Sequence, residues 1–163
     1  VFTGHFHAQD ITKKVYDEGD RTLYDIETGS TVTAPCPYRV VSITAAQMAH
    51  IRSDFITRIP SHPVGFSDYA QEFTVNGTIK LADAALKKYR VGEADRRLIT
   101  PQVAAAYMTH LNGDEPVPAP PVDTTGVGWW GRLIVGIQDD LLEGWQTDLP
   151  PADNTVTLNL KHQ

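Results

Sequence analysis

Apolar residues recur at two different periods along this chain, and the change between them restricts the fold more than any single motif does. From residue 1 to about 44 the signals are those of strands. Residues 11–16 and 21–26 flank the turn-forming Asp17-Glu18-Gly19-Asp20, which predicts a hairpin. A turn at Thr28-Gly29-Ser30 leads into Thr31-Val32-Thr33, and Pro35-Cys36-Pro37 separates this from the β-branched run at 38–44. Two prolines remove two backbone donors, so the segment around Cys36 reads as a loop or strand edge. Residues 45–49 favour helix, whereas 51–59 read as strand.

Beyond Phe66 the pattern turns helical. Ile79, Ala82, Leu86 and Tyr89 share one face after a break at Asn76-Gly77. Thr100 and Pro101 read as the N-cap and first residue of the next helix, with Val103, Tyr107 and Leu111 as its stripe and Asn112-Gly113 as its stop. Four of the eleven prolines stand between Pro116 and Pro121, which predicts an extended connector over residues 115–125. A last helix at 129–143 carries Trp129, Leu133, Ile137 and Leu141 at four-residue steps, and an alternating strand follows at 155–160. Strands first and helices after predict an α+β fold, with a β domain at residues 1–60 and a mainly helical extension at 61–163.

A chain of 163 residues that is 41% hydrophobic can bury a core, which excludes a purely disordered protein. Its net charge of −6 provides no global positive field for nucleic acid or an anionic membrane, so a phosphate-bearing ligand needs a local device. No apolar run approaches the ~20 residues that span a bilayer, and the first residues lack the layout of a signal peptide. A soluble protein is expected. The single cysteine, Cys36, excludes an internal disulfide and a thiolate metal cage, and leaves the compartment open. Val1-Phe2-Thr3-Gly4 reads as the end of a buried strand with no lead-in, so the chain is expected to begin inside a larger protein.

Chemistry concentrates in Gly4-His5-Phe6-His7. In an extended chain His5 and His7 point to one side and Phe6 to the other, where it can pack into a core. Their Cα atoms would lie roughly 6 to 7 Å apart, which suits two imidazoles serving two metal ions about 3.5 to 4 Å apart. Imidazole suits zinc, iron, nickel or manganese with carboxylate help. The bland alternative is a pair of half-exposed histidines on a strand.

The run Val1-Phe2-Thr3-Gly4-His5-Phe6-His7-Ala8-Gln9-Asp10-Ile11 resembles the closing Gly-His-x-His motif of the calcineurin-like metallophosphoesterases. Residues 24–30 and 33–39 look like the strands and loop that follow this motif in bacterial members. The resemblance covers roughly residues 1–44 and implies the C-terminal strands of a β-sandwich, in which His5 and His7 each serve one of two divalent ions (Mn, Fe or Zn). It implies hydrolysis of phosphate esters, in a soluble bacterial protein of the cytoplasm or periplasm. Arg39 follows the loop expected near the metals and is a candidate phosphate ligand, with a surface strand arginine as the alternative. The family's other motifs, Asp-x-His, Gly-Asp, Gly-Asn-His and a lone His, belong upstream of Val1. The sequence contains no Asp-x-His or Gly-Asn-His, and Gly19-Asp20 and Gly113-Asp114 follow the closing motif in turn-like settings. The 163 residues are therefore expected to be inactive by themselves, and to hold no metal or only a partial site, with the upstream part of the same protein as partner.

Other motifs carry less. Gly126-Val127-Gly128-Trp129-Trp130-Gly131 satisfies Gly-x-Gly-x-x-Gly but lacks the preceding strand of a dinucleotide turn. Asn76-Gly77-Thr78 is a glycosylation sequon by letter, Asp139 and Asp140 diverge by about 100° on a helix, and His50, His62 and His110 have no ligand spacing. The rival from another class is a non-catalytic interaction domain, in which Trp129, Trp130, Trp145 and the proline-rich connector dock a partner.

Overall fold

The computed structural model of the protein describes residues 1–16, 21–113, 115 and 122–162. The expected hairpin turn at 17–20 and the prolines at 116–121 lie outside the described residues. The chain forms two compact units, one comprising Val1–Ala70, Leu111–Asp114 and Asp148–Gln163, the other Gln71–His110 and Glu115–Thr147. The fold is α+β, and the described residues form two three-stranded sheets and four α-helices in mixed order.

The first unit holds both sheets. Strand β2 (Asp10–Tyr16) pairs antiparallel with β3 (Arg21–Glu27) as the sequence predicts, and β1 (Phe2–Thr3) pairs parallel with β3 on its other side. The second sheet comprises β4 (Pro37–Ile43), β5 (Met48–Phe55) and β6 (Thr155–Asn159), with β5 in the middle. Pro37 opens an edge strand, where its missing donor costs no ladder bond. Alternation then selects one buried face per sheet: Ile11 stands opposite Ile26, Ile51 opposite Val156 and Ala49 opposite Leu158, and these six residues form one apolar cluster. The strand predicted at 155–160 forms as β6 and completes the second sheet, so the order of elements is mixed and not simply strands first and helices after.

Residues 45–49 form no helix. They close the β4–β5 hairpin and begin β5, with Gln47 at φ 60°, Gln47 N–H donating to the Thr44 carbonyl and Met48 N–H to the Thr44 hydroxyl. Five residues of good helix propensity cannot nucleate a helix between two pairing strands.

Two expected helix boundaries are also overridden. Helix α1 (Phe66–Lys88) runs straight through Asn76-Gly77, and α2 (Glu93–Asn112) starts seven residues before Thr100 and carries Pro101 inside it. Neither an interior glycine at about 1 kcal/mol nor one proline at about 3 outweighs the tertiary packing of helices this long. The stop at Asn112-Gly113 holds, with Gly113 at φ 66°.

The last predicted helix is two: α3 (Trp129–Ile137) and α4 (Asp139–Gly144), separated at Gln138. Its expected core stripe faces outward, since Trp129 is 74% exposed, Ile137 64%, Leu141 48% and Leu133 47%. The buried side is Gly131, Ile134, Val135 and Leu142, of which the last three join Val91, Ile99, Ala106 and Val127 in the core of the second unit. A helix with apolar residues on two faces offers two candidate stripes, and periodicity alone does not choose between them.

Helix α3 meets α2 where side chains are absent. Asp95 Oδ1 accepts the Gly128 N–H at 2.9 Å, and a Cβ on Gly131 would lie 2.6 Å from Val127 Cγ1 and 2.9 Å from Asp95 Oδ2. Gly131→Ala gains helix propensity of about 1 kcal/mol but overpacks the contact by about 1 to 3 kcal/mol. Packing is expected to win, seen as a lower urea midpoint with an unchanged m-value.

Candidate functional site

The site follows from a topological demand on β3. Thr3 and Asp10 both pair with Glu27, the last residue of that strand, from its opposite sides. Residues 4–9 must therefore carry the chain around the end of β3 in six residues. An extended path is too long for this, so the expected alternation of His5, Phe6 and His7 on a strand does not occur. His5 adopts φ 135° and His7 φ 66°, and Phe6 is 69% exposed instead of packing into a core.

Left-handed backbone at a residue other than glycine costs on the order of 1 to 3 kcal/mol and persists only where its surroundings impose it. Here they are specific. Phe6 N–H donates to Glu27 Oε1 at 2.8 Å. Beyond the turn, Ala8 and Gln9 are buried, and the Gln9 side chain donates to Ser53 Oγ at 2.5 Å and accepts the Gly29 N–H at 2.8 Å. Gly29 makes room for the turn, because a Cβ there would stand 2.8 Å from the His7 carbonyl oxygen and 2.7 Å from the Pro37 ring.

Both imidazoles are exposed. His7 Nδ1 lies 3.0 Å from Thr33 Oγ1. This contact orients the ring, and in the tautomer that carries its proton on Nδ1 it leaves the Nε2 lone pair free for a metal ion. The His5 ring packs edge-on against Phe6, with centroids 5.2 Å apart. Among the described residues, neither histidine joins a group of three possible ligands close enough to share one ion. The donor chemistry fits a transition metal, and the turn supplies at most two of its ligands.

Arg39 reaches the same region through Glu27. Its guanidinium donates to the Glu27 carbonyl at 2.7 Å, to Ser53 Oγ at 2.9 Å and to the Asp153 carbonyl at 2.5 Å. The side chain is half-buried and ties strand ends together. Glu27, Gln9, Gly29 and Thr33, which hold the turn, have no signature in the sequence because their roles come from register and loop approach. Cys36, at φ 58° in the loop before β4, is buried, and burial pushes its thiol above the ordinary value.

The remaining motifs take structural places. Asp95 occupies the N-terminus of α3, the position a pyrophosphate would need in a dinucleotide turn, and its carboxylate would repel one. The Asn76-Gly77-Thr78 sequon lies within α1, where Thr78 donates to the Thr74 carbonyl. Asp139 and Asp140 are exposed in the first turn of α4. His50 bonds Thr157 across the sheet, His62 stacks on Tyr69 and His110 stands 3.5 Å from Glu115. Compared with protein-family models and with curated proteins, the chain matches none.

Two outcomes test this geometry. Gly29→Ala is expected to cost about 1 to 3 kcal/mol by overpacking and to shift the His7 imidazole resonances, while those of His50 stay in place. Cys36, buried and with a raised pKa, is expected to resist iodoacetamide at pH 8 in the native protein and to react within minutes in urea, as read by mass spectrometry.

Proposed function

We propose that the Gly4–His7 turn is the two-histidine part of a dinuclear metal site in a phosphoesterase of the calcineurin-like kind, completed by ligands from outside these 163 residues. The observation that carries the reading is the turn itself: two exposed histidines at positive φ, folded over a strand end, with the His7 ring oriented by Thr33. Strained backbone held by a rigid surround is a recurrent mark of functional sites. Two sheets sharing one core fit the tail of a β-sandwich. At the edge beside the turn, β1 leaves Phe2 exposed, a place where a further strand would pack.

His5 and His7 would hold the metals (Mn, Fe or Zn). When bound, two such ions activate water and offset charge on the phosphoryl oxygens of a phosphate ester. The chain's own contribution is placement. Glu27 and Gln9 fix the turn, Thr33 orients the His7 ring, and Arg39 holds the strand ends under the turn, with phosphate recognition as its sequence-based role. On this reading the 163 residues do not complete the site by themselves and are inactive.

A second reading, a protein-interaction domain, is favoured by the exposed row Trp129, Leu133, Ile137 and Leu141 on α3 and α4. Metal binding separates the two. Mn²⁺ titrated into the 163-residue chain is expected to broaden the imidazole resonances of His5 and His7 before those of His50 and His62. In a longer protein carrying the upstream ligand motifs, His5→Ala or His7→Ala is expected to lower p-nitrophenyl phosphate hydrolysis on the order of 100-fold, with loss of bound metal. Hydrolysis and metal content unchanged by both substitutions would sink the phosphoesterase reading and leave the interaction domain.

A further inference from the structure

The second unit contains a cavity of about 510 Å³ lined by fifteen residues of α1, α2, α3, α4 and the positions just beyond them. Its size falls within the range of small-molecule sites, about 300 to 1,000 Å³. Charged residues make up 21% of the chain, yet none of the fifteen is charged. Buried Ile99 and Leu142 belong to the lining, as do the exposed Leu81 and Tyr89.

One wall is aromatic, and the polar side chains of the lining are those of Thr78, Tyr89, Tyr107, Gln138 and Trp145. The rings of Tyr107 and Trp145 meet at 5.1 Å between centroids, tilted by 56°. Burial pushes the Tyr107 phenol above its ordinary value, so it remains a neutral hydroxyl donor across the physiological range. Thr78, by contrast, spends its hydroxyl on the Thr74 carbonyl. A charged ligand would leave its charge unpaired here, and a pure hydrocarbon would leave the Tyr107 hydroxyl without a ligand partner.

We propose that this cavity binds a neutral, largely hydrocarbon small molecule bearing one hydrogen-bonding oxygen, which meets the Tyr107 hydroxyl. The site is independent of His5 and His7 and stands whether or not the chain serves a phosphoesterase.

The test uses the 163-residue chain and the neutral fluorophore N-phenyl-1-naphthylamine. Saturable binding with one site per chain is expected, with displacement by decanol and at least tenfold weaker displacement by decanoate. Ala85→Phe and Ala82→Phe, which place a ring in the cavity from α1, are expected to weaken the fluorophore at least tenfold. Tyr107→Phe is expected to weaken decanol about threefold to tenfold, the value of one net hydrogen bond. In the unsubstituted protein, decanol should shift the Trp145 indole N–H resonance and leave that of Trp129 unmoved, a readout that requires no variant to fold. Absence of saturable binding would overturn the proposal. So would equal competition by decanoate, binding that survives in both folded phenylalanine variants, or shifts at Trp129 in place of Trp145. Self-association that leaves the fluorophore unbound would overturn it as well, by assigning the apolar surface to a second copy.

Discussion

The first unit depends on one polar knot that joins its two sheets. Arg39 of β4 donates to the carbonyl at the end of β3 and to the carbonyl of Asp153, the Asp153 carboxylate accepts the Ile11 N–H of β2, and Gln9 bonds both Ser53 of β5 and Gly29. Small sheets of three strands bury little apolar surface each, so the six-residue cluster between them is modest. Buried polar groups that satisfy one another add what such a core lacks, a single register, because any slip would strand several of them. The histidine turn rides on this knot. Glu27 serves it twice, with its carbonyl toward Arg39 and its carboxylate toward Phe6 N–H.

Much of the first sheet was legible in the sequence, since alternation at 11–16 and 21–26 around a polar turn admits few solutions besides a hairpin. The positions of His5 and His7 next to a strand end were legible too. Their conformation was not. Reading them as extended assumed that the strand continues, whereas β3 is flanked by β1 on one side and β2 on the other, and only that arrangement requires the chain to double back over Glu27. Arg39 was visible as a residue close to the motif, but its bonding depends on Asp153, 114 positions away.

The helical half was harder to read for a different reason. Asn76-Gly77 and Thr100-Pro101 are sound local signals that were outweighed by long helices packing on either side of them. Around residue 129 the local signal was ambiguous rather than outweighed, because α3 is apolar on two faces and only Asp95 and the absence of side chains at Gly128 and Gly131 decide which one turns inward.

The pairing of Ile11 with Asp153 spans 142 positions and sets an order of events during synthesis. Strands β1 to β5 leave the ribosome before β6, yet the second sheet lacks a neighbour for one side of β5, and the Ile11 N–H lacks its acceptor, until residues 153–159 emerge. Such non-local closure is slow, and the waiting strand edges are exposed to other chains in the meantime. The helical residues between them fall largely in a separate compact unit and can settle first, so β2 and β5 are made well before their bonding is complete.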